Sequence, residues 1–419
     1  MAALLARLMC IFQEDPLIDE VGLLFGIEAR DLTPETAFTL ENHKLGVAFA
    51  AGKPLFQAAR LQFHVLNARF QEKVTEITQS NDNEQRAQLV HCTRAILLIS
   101  ADFYTAWNTR KLFVTRGWLN AHDEIQFTNL VFTLHPKSID TWAYRRWLAN
   151  LVCQSSSEND NLIFYSREIE VCSRLAEQKP RNYHAWSFRH WIVSQLPVVL
   201  TLQELKDMER WCRTHITDHS GWNHRQHTLN ELIKKYRISG HENLSKELIL
   251  TEYKFVSEIV TLYPSHEALW CHRRYVMQRL LDELPRTETA ICHDLTVLHK
   301  SISLVSMVIS RSTPESYENT TLDASLDQQL KHLSSNSDAF VLCAVVNEIG
   351  IAWKCGNQFS RRFSAWCLAR LRAFLYRHQK VEEIDTSSLD SLTSIVQKSL
   401  VQDDSMLKDL WVGAFAECK

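Results

Sequence analysis

Glycine and proline are scarce in this chain of 419 residues, ten and nine where average usage would give roughly thirty and twenty. Sheets joined by tight turns draw on those residues, so the shortage favours helices with short connections. No apolar run reaches the roughly 18 residues that cross a bilayer, so an integral membrane protein is not expected. The eleven cysteines form no CxxC pair and no framework spacing, which excludes a disulfide scaffold and points to reduced thiols in a cytoplasmic protein. P-loop, GxGxxG, GxSxG and HExxH motifs are all missing, so the chain carries no self-contained catalytic centre. A net charge of −3 argues against broad binding to nucleic acid, although Arg145-Arg146, Arg273-Arg274 and Arg361-Arg362 sit among aromatics. The apolar start is interrupted by Arg7 and shows no cleavage site, so no signal peptide is expected. Cys418 is followed by Lys419 alone, so a CaaX prenylation signal is not expected either.

What the chain does have is a repeat. Tryptophan followed three residues later by arginine recurs as Trp107/Arg110, Trp142/Arg145, Trp186/Arg189, Trp222/Arg225 and Trp270/Arg273, the tryptophans 35 to 48 residues apart. Pro136, Pro180 and Pro264 each lie six residues before the Trp, after an apolar segment of helical pattern. Proline does not continue a helix interior but suits a turn or a first helical position. Each unit therefore reads as helix, Pro-bearing turn, then a second helix opening with the Trp-Arg pair. The spacing predicts an all-α fold, an alpha-alpha superhelix of stacked hairpins. Trp and Arg share a face at this spacing, so the pairs are expected to pack the hairpins, the Arg tying down a turn carbonyl or a carboxylate.

The reading divides the chain into an N-terminal helical region (1–85), a solenoid of five repeats (86–285), C-terminal helices (286–378) and a tail (379–419). A polar stretch at 311–338 is expected to be a mobile insertion, and a degenerate sixth copy is placed at Trp366, with Ala369 where Arg is expected.

The fullest copy, KPRNYHAWSFRHW at 179–191, resembles the α-subunit repeat of protein prenyltransferases. The resemblance is firm from Leu89 to Leu281 and implies a crescent of hairpins wrapping a β subunit. It further implies that zinc and the isoprenoid pocket lie on the β subunit, where zinc makes the acceptor cysteine of a protein substrate a thiolate. The α subunit contributes a rim near the diphosphate: a Lys two positions before the Tyr of one repeat, and the Tyr-His of the next. Here Lys137 matches the first, and Tyr183 and His184 the second. The sequence departs from the pattern at Ile139, where Tyr is expected, and again at His219 and Glu267. What the resemblance implies for activity is an α subunit of a protein geranylgeranyltransferase. The Rab-type β subunit is the expected mate and geranylgeranyl diphosphate the co-substrate. The alternative is a helical scaffold that kept the repeat and lost the enzyme. A TPR-like peptide-binding array is weaker still, since its W-L-G-Y pattern is missing. His215, His219, His224 and His227 cluster without a carboxylate or cysteine that completes a site, so no metal is expected on this chain.

Overall fold

A computed structural model describes residues 2–73, 82–282, 338–377 and 386–403, with a few positions between 298 and 309. The chain divides into two compact units, Met1–Leu196 and Pro197–Lys419. The insertion expected at 311–338 lies outside the described residues save for Asp338.

The first unit opens with helix α1 (Ala2–Glu14), then three strands: β1 (Glu20–Leu24), β2 (Phe38–Glu41) and β3 (Lys44–Ala48). Their order is β1-β3-β2, with β1 parallel and β2 antiparallel to β3. The sheet is a departure from the helical region expected over 1–85. Its hairpin turns through Asn42 and His43, both at positive φ (48° and 64°). A two-residue loop of that shape matches the strand twist and usually carries Asn-Gly; here His43 stands where glycine would. The turn is steadied because His43 Nδ1 lies 2.9 Å from an Asp15 carboxylate oxygen. Val21 on β1 is held through Thr133, whose hydroxyl accepts from Val21 N at 3.1 Å and donates to Val21 O at 3.0 Å.

Helices follow: α2 (Phe49–Lys73), α3 (Asp82–Ile99), α4 (Tyr104–Thr115), α5 (Ala121–Leu134), α6 (Ile139–Ser155), α7 (Glu158–Gln178) and α8 (Tyr183–Gln195). From α3 onward they pair as hairpins. The second unit continues with α9 (Val198–Thr214), α10 (His219–Ile238), α11 (Glu242–Leu262), α12 (Glu267–Asp282), α13 (Asp338–Cys355), α14 (Gln358–Arg377) and α15 (Thr386–Asp403). Helix α15 lies in the stretch read as a tail. Among the described residues no helix is long and apolar enough to cross a membrane.

The repeat motif is the frame of these hairpins. All five motif tryptophans and all five arginines are buried. The indole N–H donates to the carbonyl six residues earlier: Trp107 to Ala101, Trp142 to Pro136, Trp222 to Ile216, Trp270 to Pro264, at 2.7–2.9 Å. Each turn, Pro-bearing or not, is thus pinned by the helix it introduces. Motif tryptophans also pack against the ring two places after the next motif Trp: Trp107 on Tyr144 (4.5 Å), Trp142 on Phe188 (5.5 Å) and Trp222 on His272 (4.9 Å).

The arginines join successive hairpins through buried carboxylates, as the pairs at Arg110, Arg145, Arg225 and Arg273 show. Arg110 grips Glu124 with two bonds of 2.6–2.7 Å, Arg145 grips Glu168 likewise, and Arg225 takes Glu252 with two of 2.7 Å. Arg273 takes Glu348 the same way. In each case Arg comes from the second helix of one hairpin and Glu from the first helix of the next. A carboxylate so deeply buried needs that bidentate partner. The sequence reading expected a carbonyl or carboxylate but did not name these glutamates. The signal was there, since Glu124, Glu168, Glu204 and Glu252 each lie 18 residues before a motif Trp.

Some of the arginines also take a hydroxyl beyond the expected carbonyl or carboxylate, as Arg189 does. Its guanidinium donates to Ser173 Oγ at 2.8 Å and lies over the Trp186 ring, 5.5 Å from the centroid. Ser173 is on α7, the first helix of the same hairpin, so this bond closes the hairpin on itself. Arg110 and Arg145 make the matching bond to Thr93 and Thr128, at 2.9 and 2.6 Å. Arg, Ser or Thr therefore stand 16 or 17 residues apart in each of these hairpins, a pairing the motif alone did not announce. Arg189 stays a frame residue, as its burial requires.

The sixth copy falls in a different register from the one expected at Trp366. Asn357 caps α14 and donates to Pro264 O at 2.7 Å, as Asn182 caps α8 and donates to Pro136 O at 2.8 Å. Phe363 then packs on Trp270 at 5.3 Å, the place Phe188 takes on Trp142. Arg361 and Ser364 therefore hold the Trp and Arg positions. The segment from the buried Glu to the cap is five residues shorter than in the third hairpin: Asn357 follows Glu348 by 9 residues, whereas Asn182 follows Glu168 by 14. Trp366 is left half-buried, packed against Phe363 at 6.0 Å.

Candidate functional site

Three turns stand in series in the first unit. Ser138 caps α6 and its hydroxyl donates to Asp102 Oδ1 at 2.6 Å, tying the second turn to the first. Asn182 caps α8 and donates to Pro136 O, tying the third turn to the second. Lys137 returns the link, its ammonium donating to Pro180 O at 2.9 Å. Burial raises the Asp140 pKa, and the neighbouring Asp102 raises it further.

The residue after each cap begins a helix and faces solvent: Tyr104 is 61% exposed, Ile139 61% and Tyr183 70%. His184 follows, partly buried, its ring edge-on to Tyr183 at 5.6 Å. Lys137, Tyr183 and His184 thus come together around one turn, Lys137 reaching it from the preceding hairpin. Ile139 sits at the matching first position of α6, where it offers no hydroxyl. His219 and Glu267 begin α10 and α12 in the second unit, also exposed.

Arg181, which the sequence reading did not single out, belongs to the same turn. Its φ is +62°, a conformation that costs a side-chain-bearing residue about 1 kcal/mol or more. The equivalent place before Asn357 is taken by Gly356, at φ +66°. An exposed arginine therefore stands where glycine fits without strain, on the turn that Lys137 reaches.

The clustered histidines part company. His224 is buried with Nε2 2.7 Å from Glu204 Oε1, and His215 stacks on Trp211 at 4.1 Å. Among the described residues no group of three or more His, Cys, Asp or Glu is placed to hold a metal ion.

Comparison with known proteins follows this geometry closely. The family pattern described as "Protein prenyltransferase alpha subunit repeat" matches at 121–151, 165–196, 201–232 and 249–280. Those are the hairpins α5/α6, α7/α8, α9/α10 and α11/α12. The human protein prenyltransferase alpha subunit repeat-containing protein 1 is 31% identical over 310 residues, covering 63% of this chain and 74% of that protein. The chain belongs to this prenyltransferase alpha-subunit repeat family. The Danio rerio protein of the same name is 30% identical over 306 residues, covering 63% of the chain and 69% of the relative. More distantly, the geranylgeranyl transferase type-2 subunit alpha of Sus scrofa is 24% identical over 200 residues, and the chain spans only 34% of its length. The hairpins of this family build an alpha-alpha superhelix, so the expected all-α class holds, with the small sheet as an addition. The hairpin α3/α4 falls outside the matched ranges yet carries the same Trp107 turn bond and Arg110–Glu124 pair, which makes it a fifth copy by structure.

Proposed function

We propose that this chain is the α subunit of a heterodimeric protein prenyltransferase that transfers a geranylgeranyl group from its diphosphate to a protein cysteine. One observation carries the reading: the Lys137 ammonium is anchored at the turn that launches Tyr183 and His184, so a cation and two donors stand together on an exposed edge. Departure of diphosphate from the first carbon of an isoprenoid builds negative charge on the bridging oxygen. A lysine and hydrogen-bond donors already in place stabilise that charge without reorganising. The Pro180 carbonyl accepts only one of the three ammonium protons, which leaves Lys137 able to donate to a phosphate oxygen. Tyr183 and His184 would donate beside it, and Arg181 would hold a remaining phosphate charge.

The isoprenoid pocket belongs to a β subunit in this reading, with the Rab-type geranylgeranyltransferase β subunit as the proposed mate. Zinc held by that partner would supply the acceptor thiolate. The similarity to a type-2 geranylgeranyl transferase α subunit supports the choice of lipid and mate.

A scaffold reading keeps one observation on its side: Ile139 leaves the first position of α6 without a phenol. The two readings separate on Lys137→Ala and His184→Ala in the assembled complex. Both side chains are solvent-accessible and neither makes a buried pair, so folding and assembly should be unchanged. Each substitution is expected to lower kcat about 100-fold. Turnover unchanged in both would remove these residues from the site.

A further inference from the structure

The solvent face of α2 takes no part in the reading above. From Phe49 to Gln71 the chain holds Lys53, Arg60, His64 and Arg69, and the first carboxylate is Glu72. The helix buries Leu55, Phe63 and Phe70 on one side, and all four basic residues lie exposed on the rest. Solvated helices usually lace such cations with acidic neighbours one turn away. Among the described residues neither Lys53 nor Arg60 has a carboxylate partner; Arg60 Nε points instead at His64 Nε2, 3.4 Å away.

Leu61 and Val65 are also exposed on this helix, at 71% and 46%. At its start the Phe49 ring stacks on Phe25, 5.2 Å between centroids, yet both rings stay mostly in water. Phe25 stands at the end of β1, before the reversal at Gly26. Glu28 and Asp31, the carboxylates that follow on that loop, both lie beside Arg30.

We propose that this face docks the protein on an anionic lipid surface. Lys53, Arg60 and Arg69 would meet headgroup phosphates, and the Phe25–Phe49 pair would enter the headgroup–acyl boundary. Charge and shape choose the occupant. The cations spread over about 24 Å of helix, Lys53 and Arg60 on one flank of its exposed side and Arg69 on the other, with Leu61 and Val65 between, which suits a plane of negative charge better than a single acidic group. The stacked rings stand at one end of that stretch, as an apolar wedge does in interfacial helices. The overall charge of −3 does not oppose this, because screening confines each contribution to about 10 Å.

The test is flotation of the full-length chain with phosphatidylcholine vesicles, with and without about one-third phosphatidylserine. Each basic side chain near such a surface strengthens partition about five-fold. The wild-type chain should float with the anionic vesicles only. The variant with Lys53→Gln, Arg60→Gln and Arg69→Gln should bind about 100-fold more weakly. Phe25→Ser with Phe49→Ser should weaken binding and leave its salt dependence in place. Circular dichroism on each variant checks that these exposed changes leave the fold intact. A wild-type chain that stays unbound, or a neutralised variant that floats equally well, overturns the proposal. Binding to soluble polyglutamate without binding to vesicles also overturns it and assigns the face to an acidic protein.

Discussion

Glu252 shows how much a single buried residue carries. Arg225 grips it with two bonds, and His272 Nε2 stands 2.7 Å from one of its oxygens. Burial alone would raise its pKa, but Arg225 and His272 outweigh that and hold it down to about 2. Burial pushes the His272 pKa below its ordinary 6.5, against the pull of Glu252. The unfolded chain therefore takes up a proton at His272 before the folded chain does. The stability from a neutral His272 is complete above pH 6.5 and is lost as pH falls below it. The contribution of Glu252 is complete above its ordinary value of 4.5 and lost as pH falls toward 2. Urea midpoints at stepped pH should fall first below about 6.5 and again below about 4.5. His272→Phe places at this position the ring type found at Phe188 and Phe363, and it should flatten the upper step. A midpoint that does not change between about pH 7.5 and 5.5 would exclude the role of His272. At Arg181 the strain gives a second expectation. Arg181→Gly should leave stability equal or raise it by up to about 1 kcal/mol, while transfer by the complex weakens. A loss of stability would show that the arginine is held there by packing.

At the scale of the helix and its turn, sequence and structure agree where a pattern repeats and part where it does not. The hairpins from α5 to α12 were legible because Trp, Arg and Pro recur with a geometric meaning: an indole bond to the turn, a guanidinium rung to the next hairpin. The hydroxyls that Arg110, Arg145 and Arg189 take within their own hairpins were not, since Ser and Thr on a helix carry no signal until the partner is placed. The strands were missed because the Asn42-His43 turn lacks the glycine that usually announces it. The last hairpin was misread by five residues because the segment from Glu348 to its cap is that much shorter, so Asn357 rather than a tryptophan marks the register. Asn182 is the element-level test. It caps α8 and also satisfies Pro136 O in the preceding turn. Asn182→Ala removes a cap and one of the two bonds to Pro136 O, which keeps that from the Trp142 indole, and should destabilise the protein by about 1–3 kcal/mol. A change under about 0.5 kcal/mol in denaturant titration would show that the turns are not coupled through it.

For the molecule as a whole, the Trp-Arg pairs frame the hairpins within each unit, and the proposed function rests on side chains they leave exposed. The positions of Lys137, Tyr183 and His184 came from resemblance, since a lysine and a histidine at helix starts carry no signal by themselves. The structure adds the Lys137–Pro180 bond that brings them to one turn, and it adds Arg181. The acceptor protein and the lipid length were not legible, because no residue of this chain that contacts either can be picked out by pattern. The most direct measurement is co-purification of the chain with each prenyltransferase β subunit. Each stable complex would then be assayed for transfer from labelled geranylgeranyl and farnesyl diphosphates to lysate proteins. A stoichiometric complex with the Rab-type β subunit that transfers geranylgeranyl is the predicted result. A folded chain that binds none of the β subunits would contradict the account and leave the hairpins as a scaffold for other partners.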